Sequence, residues 1–307
     1  MFSSKDIYTR MCHQSDVVYK MTDEERLKLQ AHLRKMYKDI EAVCEKHGIT
    51  MMIGGGNMLG QVRHGGFIPW DDDMDLYMPR KDYERFMREC YKDLPPHYQV
   101  YSPISENGPL IGFGKVIDSK TTFLFPGQDE YSKGGGIFID ILPLENIDPA
   151  NHFNKFRKIL TLGCIYLAGC VDQFDSKSDS YRKIMSGCRE GKINYWIRQI
   201  IGFFASVVSY SKWMKWEDKI VQCNKETDWF IRPMGTYDWS PQPKSAYLPV
   251  KKGKFDDIEV HIVNNPELFL DINYGDWHKI PKPSERWEHF IMKIDFEKGI
   301  IGNGSQQ

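Results

Sequence analysis

The chain has 307 residues, 41% hydrophobic and 27% charged, a balance that excludes a disordered, collagen-like or disulfide-scaffold protein and leaves ample length for a buried core. Lys plus Arg (41) nearly equals Asp plus Glu (42), giving a net charge of -1, so no global basic field exists to draw in nucleic acid. Seven cysteines, at 12, 44, 90, 164, 170, 188 and 223, form no C-x-x-C pair, which points to reduced thiols rather than a zinc knuckle or a disulfide framework.

The N-terminal MFSSKDIYTRMCHQ lacks the apolar core of a secretory signal, so the expected location is cytoplasmic. Residues 22–47 place Leu29, Leu33, Met36, Ile40 and Val43 at helical spacing, with Thr22 and Glu25 as a capping box and Gly48 as the stop. The apolar run Ile49 to Ile53 predicts a strand; it ends in Gly54-Gly55-Gly56, and Asn57 opens a further helical turn. A glycine- and proline-rich loop, HGGFIPW, leads into DDDMDLYMPR, and a charged helix follows from about Lys81 to Tyr91. Further strands are predicted near 110–118 and 136–144. The first half therefore reads as helices flanking a small mixed sheet. From about 151 to 230 the pattern turns helical and aromatic, with a break near 175–180. Its most apolar stretch, 195–216, suits either a membrane face or a buried helix in a bundle, and the length rule favours the bundle. Alternating runs and a helix-loop signal fill 245–300, and the last residues should fray.

The chemistry concentrates in GGGNMLGQVRHGGFIPWDDDMDL. Asp71, Asp72, Asp73 and Asp75 repel one another unless a cation neutralises them. In a strand, Asp73 and Asp75 share one face and Met74 and Leu76 the other, so two carboxylates converge on one point. A hard divalent ion such as Mg²⁺ takes such oxygens and keeps positions open for substrate phosphate. The glycine turn allows close approach of backbone N–H groups to an anion, and the helix beginning there aims its positive end at a phosphate. A third carboxylate is expected on a neighbouring strand, and in GIFIDILPL the lone acid opposite Ile137, Ile139 and Ile141 is Asp140. The competing reading makes Asp140 an exposed edge residue or a helix cap, and the acidic run a solvated loop.

The string GGGNMLGQVRHGGFIPWDDDMDLYMPRKDYERF resembles the signature of the LicD family, phosphocholine transferases of the nucleotidyltransferase superfamily; GGGIFIDILPLE and YGDWHKIPKPSERWEH resemble its second acidic strand and C-terminal box. The resemblance implies an α+β fold with a polymerase-β-like nucleotidyltransferase core plus a helical subdomain, divided as 1–150 (core with N-terminal helix), 151–240 (helices) and 241–307 (a segment completing the active site). It implies Mg²⁺, with Mn²⁺ as an alternative, and transfer of phosphocholine from CDP-choline or a related CDP-alcohol to a hydroxyl of a surface glycan of lipopolysaccharide or teichoic acid type. Carried over, the glycine motif falls on Gly55, Gly56 and Asn57, the metal pair on Asp73 and Asp75, and the third acid on Asp140, the preferred proton acceptor. Asn57 stands where many members of the superfamily have serine and retains a side chain able to hydrogen-bond a phosphate.

Arg63, beside His64, suits a bidentate grip on a diphosphate, against the commoner fate of a surface arginine. Lys115 suits a point-charge contact to the same phosphates, against that of an exposed strand lysine, and Arg80 and Lys81 suit solvent. In the C-terminal box Asp276, Arg286 and His289 either complete the pocket or pack locally. A choline cation is held over aromatic faces, for which Trp70, Tyr77, Trp277 and Trp287 lie near the motifs. The expected partners are the CDP-alcohol and a glycan acceptor, without nucleic acid, with peripheral contact at the inner membrane face through 195–216 as an option. The competing activities are transfer of a nucleoside monophosphate from NTP with pyrophosphate release, and transfer of phosphoethanolamine or a polyol phosphate.

Overall fold

A computed structural model describes residues 4–232, 239–286 and 288–303. In chain order the elements are α1 (Ser4–His13), α2 (Asp23–His47), β1 (Met52–Ile53), α3 (Gly55–His64), β2 (Asp75–Pro79), α4 (Arg80–Arg88), β3 (Tyr98–Tyr101), β4 (Gly114–Asp118), β5 (Thr122–Leu124), β6 (Ile137–Asn146), α5 (Asn154–Ser176), α6 (Asp179–Met185), α7 (Arg189–Ala205) and α8 (Tyr210–Val221). Beyond them lie β7 (Trp229–Ile231), β8 (Gln242–Pro243), α9 (Lys244–Tyr247), β9 (Lys251–Phe255), β10 (Ile258–Ile262), α10 (Pro266–Tyr274) and β11 (Lys293–Asp295). The fold is α+β.

The helix predicted at 22–47 forms as α2: the Thr22 hydroxyl accepts the Glu25 N–H, the Glu25 carboxylate accepts the Thr22 N–H, and Gly48 closes the helix in the left-handed region. Leu29, Leu33, Met36, Ile40 and Val43 are all buried. α3 starts two residues earlier than Asn57, because Gly54 serves as its N-cap.

The main sheet runs β1-β2-β6-β4-β3, extended by β7 and β8 beside β6. The β2–β6 pair is parallel, while β1–β2, β4–β6 and β3–β4 are antiparallel. Strand alternation sends Leu76, Ile139, Ile141 and Val116 to one face and Asp75, Asp140 and Lys115 to the other. The apolar face packs on α2 and α4; a side chain at Gly114, on that face, would run into Met87 of α4.

α5 to α8 pack on one another, with α5 against both α7 and α8. The stretch 195–216 falls on α7 and α8 within this bundle, as the length rule favours, but α7 is not buried all round. Tyr195, Gly202 and Ala205 are buried, but Trp196, Ile197, Ile200, Phe203, Phe204 and Val207 are exposed, since only one narrow side of α7 meets α5. The reading of Arg80 as solvent-facing is corrected. Its guanidinium is buried between Glu145 of β6 and Asp218 of α8, 2.9 Å from Asp218, and ties the helices to the sheet. Lys81 is exposed and paired with Glu226. The frayed end expected at the C-terminus falls mainly on 304–307, outside the described residues.

Burial pushes the Glu145 carboxyl up to about 7, although Arg80 beside it opposes the shift. Removing Arg80 strands two buried carboxylates, so Arg80→Ala should lower unfolding free energy by about 3–5 kcal/mol, measured by urea denaturation.

Candidate functional site

The residues of the site meet on the polar face of the sheet. Asp75 lies opposite Asp140 in the β2–β6 pair, and Asp140 lies opposite Lys115 in the β6–β4 pair, so the three form one row across the strands. The Lys115 ammonium is 2.7 Å from the Asp140 carboxylate and 3.2 Å from the centre of the Phe138 ring. β2 begins at Asp75, so Asp73 sits just before the strand rather than within it, while the Asp140 N–H donates to the Met74 carbonyl.

The N-terminus of α3 closes the row. Gly55 has φ +48°, and a Cβ there would come within 2.7 Å of the Asp75 carboxylate; a Cβ on Gly56 would come within 3.1 Å of Asp71. Two glycines therefore let the positive end of a helix approach two acids without a side chain between them. The Gly55 N–H donates to the Tyr77 hydroxyl, which also accepts from Arg232 at 2.7 Å, and Arg232 in turn holds Asn273 of α10.

Asn57 has a different job from the phosphate contact expected of its side chain. Its carboxamide accepts the Asp75 N–H at 2.7 Å and donates to the Asp73 carbonyl at 3.1 Å, bracing the acidic segment. Arg63 is likewise turned from the site: it donates to the carbonyls of Trp277 and Lys279 and to His64, and so clamps the C-terminal box. Asp276 is exposed on that box. Arg286 stacks 4.0 Å over the Trp70 ring. Trp277 is buried against His278 with its N–H on Asp271, and Tyr77 lies buried beneath the glycine turn. Trp287 lies outside the described residues. The aromatic rings found around the acids are Phe125 and Phe138, which flank both Lys115 and His289.

Asp72 is taken up by His289. It is buried, and accepts both the backbone N–H of His289 and its ring Nδ1, each at 2.9 Å. Arg26 and Gln30 of α2 support the same loop through the Trp70 and Asp71 carbonyls. Sequence reading missed Arg26, Gln30, Tyr77 as a hydroxyl, and Arg232; the polar Arg26 and Gln30 on the otherwise apolar face of α2 were the available signal.

The electrostatics are those of an under-neutralised acid cluster. Burial first, and then the neighbouring carboxylates, hold Asp71 and Asp75 well above the usual carboxylate range. Burial lifts Asp73 to about 6 despite the opposing charge of His289. A buried oxygen of Asp71 lacks a hydrogen-bond partner among the described residues, while that of Asp140 meets only the Lys115 ammonium. Such a set of hard oxygen donors short of positive charge has the chemistry that hard divalent cations take, and Asp73, Asp75 and Asp140 are the carboxylates that could hold one. Asp72, Asp73 and His289 lie closer together, their ligand atoms within 4.8 Å. Without an ion, the hydrogen bond and charge of Asp72 outweigh burial and lift His289 to about 9, so the imidazole holds its proton there.

The family model described as LicD/FKTN/FKRP, nucleotidyltransferase domain, matches residues 48–158. Lipopolysaccharide cholinephosphotransferase LicD of Haemophilus influenzae is 24% identical over 255 residues, covering 82% of this chain and 91% of that one. Ribitol 5-phosphate transferase FKRP of mouse and human is 43% identical over 44 residues, 14% of this chain and 9% of the relative. An uncharacterized protein of Rickettsia typhi is 33% identical over 70 residues, 23% of this chain and 21% of its own.

The His289 shift has a testable sign. A folded-state pKa raised from 6.5 to about 9 gives stabilisation that is complete below pH 6.5 and drains away as pH rises through 9. With divalent ions chelated, the wild-type chain should lose up to about 3 kcal/mol of stability across that window beyond any loss in His289→Gln, read from denaturant melts at each pH.

Proposed function

Because this chain belongs to the LicD family, we propose that it transfers phosphocholine, or a closely related phosphoalcohol, from a CDP-alcohol, CDP-choline foremost, to a hydroxyl of a cell-surface glycan. The observation that carries this reading is the row Asp75–Asp140–Lys115 beneath the α3 N-terminus, with Asp73 one step away. Acids and helix end together suit a diphosphate, which needs positive charge on both of its phosphates. The Haemophilus relative is named for the same group transfer, and its likeness extends over most of both chains.

In this reading Asp73, Asp75 and Asp140 hold Mg²⁺, or Mn²⁺, on a nucleotidyltransferase-like core. The ion, when bound, supplies charge neutralisation for the diphosphate and for the oxygen left on CMP. The first-turn amides of Gly56 and Asn57 receive the departing phosphate, since the Gly55 N–H is committed to Tyr77. Lys115 adds a fixed positive charge beside Asp140. The acceptor hydroxyl attacks the choline-bearing phosphorus in line, its proton passes to a carboxylate, and the bond to the CMP oxygen breaks, leaving CMP and a phosphodiester. Asp140, the lone acid of β6, with the Lys115 ammonium 2.7 Å away, is the carboxylate favoured for that proton. The match to ribitol 5-phosphate transferases supports polyol phosphate as the second reading of the transferred group.

Phosphorus NMR with Mg²⁺, a panel of CDP-alcohols and NTPs, and crude surface glycan separates these readings. CMP release from CDP-choline is expected; release confined to another CDP-alcohol moves the donor, and pyrophosphate from an NTP overturns the transferase reading. Asp75→Asn should cut CMP release at least about a hundredfold while the fold persists. The same variant should melt slightly higher than wild type without metal, because crowding is relieved, and should lose the upward Tm shift that Mg²⁺ with CDP-choline gives wild type.

A further inference from the structure

α7 carries a surface that nothing in the chain covers among the described residues. Ile193, Trp196, Ile197, Ile200, Phe203 and Phe204 recur at i, i+3, i+4, i+7, i+10 and i+11, which places them on one side of the helix. Trp196, Phe203 and Phe204 are 63%, 60% and 69% exposed, and Val207 prolongs the row into the following turn at 88%. The opposite side is locked. Gly202 lies so close to the Cys170 carbonyl of α5 that a Cβ would approach it to 2.3 Å, and Arg198 donates to Gln173 at 2.7 Å. The helix therefore cannot roll its apolar side inward.

The helices that carry this face hold a surplus of positive charge. Residues 154–221 contain twelve Lys and Arg against six Asp and Glu, in a chain whose net charge is -1. Two of those acids, Glu217 and Asp218, are buried, so the surplus at the surface is larger still. Arg189 stands one turn before Ile193 on the same side of α7, and Lys192 flanks the row; both are exposed, while Glu190 on the other flank lies 3.8 Å from Arg10. A symmetric pairing of two such faces would bring like charges together, whereas an anionic bilayer complements both the apolar row and its basic border. Among the described residues no helix is long and apolar enough to cross a membrane, and the arrangement that fits α7 is that of a helix lying in the interface.

We propose that the exposed face of α7 seats the protein on the surface of an anionic lipid bilayer, with the aromatic side chains in the headgroup boundary and the surrounding Lys and Arg on lipid phosphates. This stands on its own surface and does not depend on the reaction assigned to the acid site.

Sedimentation of the full chain with phosphatidylcholine vesicles, with and without phosphatidylglycerol, tests it. Binding is expected only with phosphatidylglycerol and should weaken as salt rises. Phe203→Ser combined with Phe204→Ser should weaken it at least about tenfold, the loss expected from withdrawing two phenyl rings from an apolar contact. Arg189→Glu combined with Lys192→Glu should weaken it and reduce its salt dependence. All four positions are exposed, and far-UV circular dichroism checks that each variant keeps its helices. Absence of binding, or binding indifferent to these substitutions, overturns the proposal. So does a wild-type dimer in light scattering that the phenylalanine substitutions dissolve, which would give the face to a second copy.

Discussion

The parallel pairing of β2 with β6 puts Asp75 directly opposite Asp140, and the rest of the site is arranged around the cost of that register. Strands in register hold facing side chains about 5 Å apart, and two carboxylates at that distance repel strongly where water is scarce. The chain does not relax the repulsion by turning the acids outward. It holds the backbone in place from several directions: the Asn57 carboxamide clamps the Asp73–Asp75 segment, Gln30 and Arg26 grip the preceding loop, and the parallel ladder fixes β2 itself. Lys115 and His289 return part of the missing positive charge. Burial first, and the neighbouring carboxylates after it, keep the Asp71, Asp73 and Asp75 carboxyls raised all the same.

The same register explains the glycines. The α3 N-terminus bears on Asp75 and Asp71 only because no Cβ intervenes at Gly55 and Gly56, and because Gly54 lies flat on the Tyr77 ring, where a side chain would meet it at 2.3 Å. Tyr77 stands on the acidic face two residues after Asp75 and passes its hydroxyl to the Gly55 N–H. Beneath it, Arg232 links β2 to Asn273 on α10. The glycine turn is thus supported through a buried polar chain that begins more than 150 residues away in sequence.

What the sequence made legible was local. The α2 cap, the alternation that isolates Asp140 among isoleucines, and the glycine turn ahead of the acidic run each depend on neighbours within a few residues, where periodicity and capping chemistry decide. Arg80, Asn57, Arg63 and Asp72 were not legible in their observed roles, because each is defined by a partner brought in by tertiary structure: Arg80 by Glu145 and Asp218, Arg63 by the carbonyls of Trp277 and Lys279, Asp72 by His289. Charge type alone made Arg80 look solvated. The desolvation of a guanidinium is tolerable there only because two carboxylates meet it, a fact no local window contains. The apolarity of 195–216 was visible, but its side was not, since a sequence does not say which face of an amphipathic helix its neighbours will cover.

A net charge of -1 conceals how unevenly this molecule is charged. Six surplus positive charges in 154–221 leave the remainder of the chain at -7, so the near-neutral total is a sum of two opposed regions. Had these charges been arranged for stability alone, the surplus lysines and arginines would have been placed among the carboxylates they could neutralise. Their segregation instead keeps a crowded carboxylate site on one part of the fold and an exposed apolar helix face on another, among helices that carry the positive surplus.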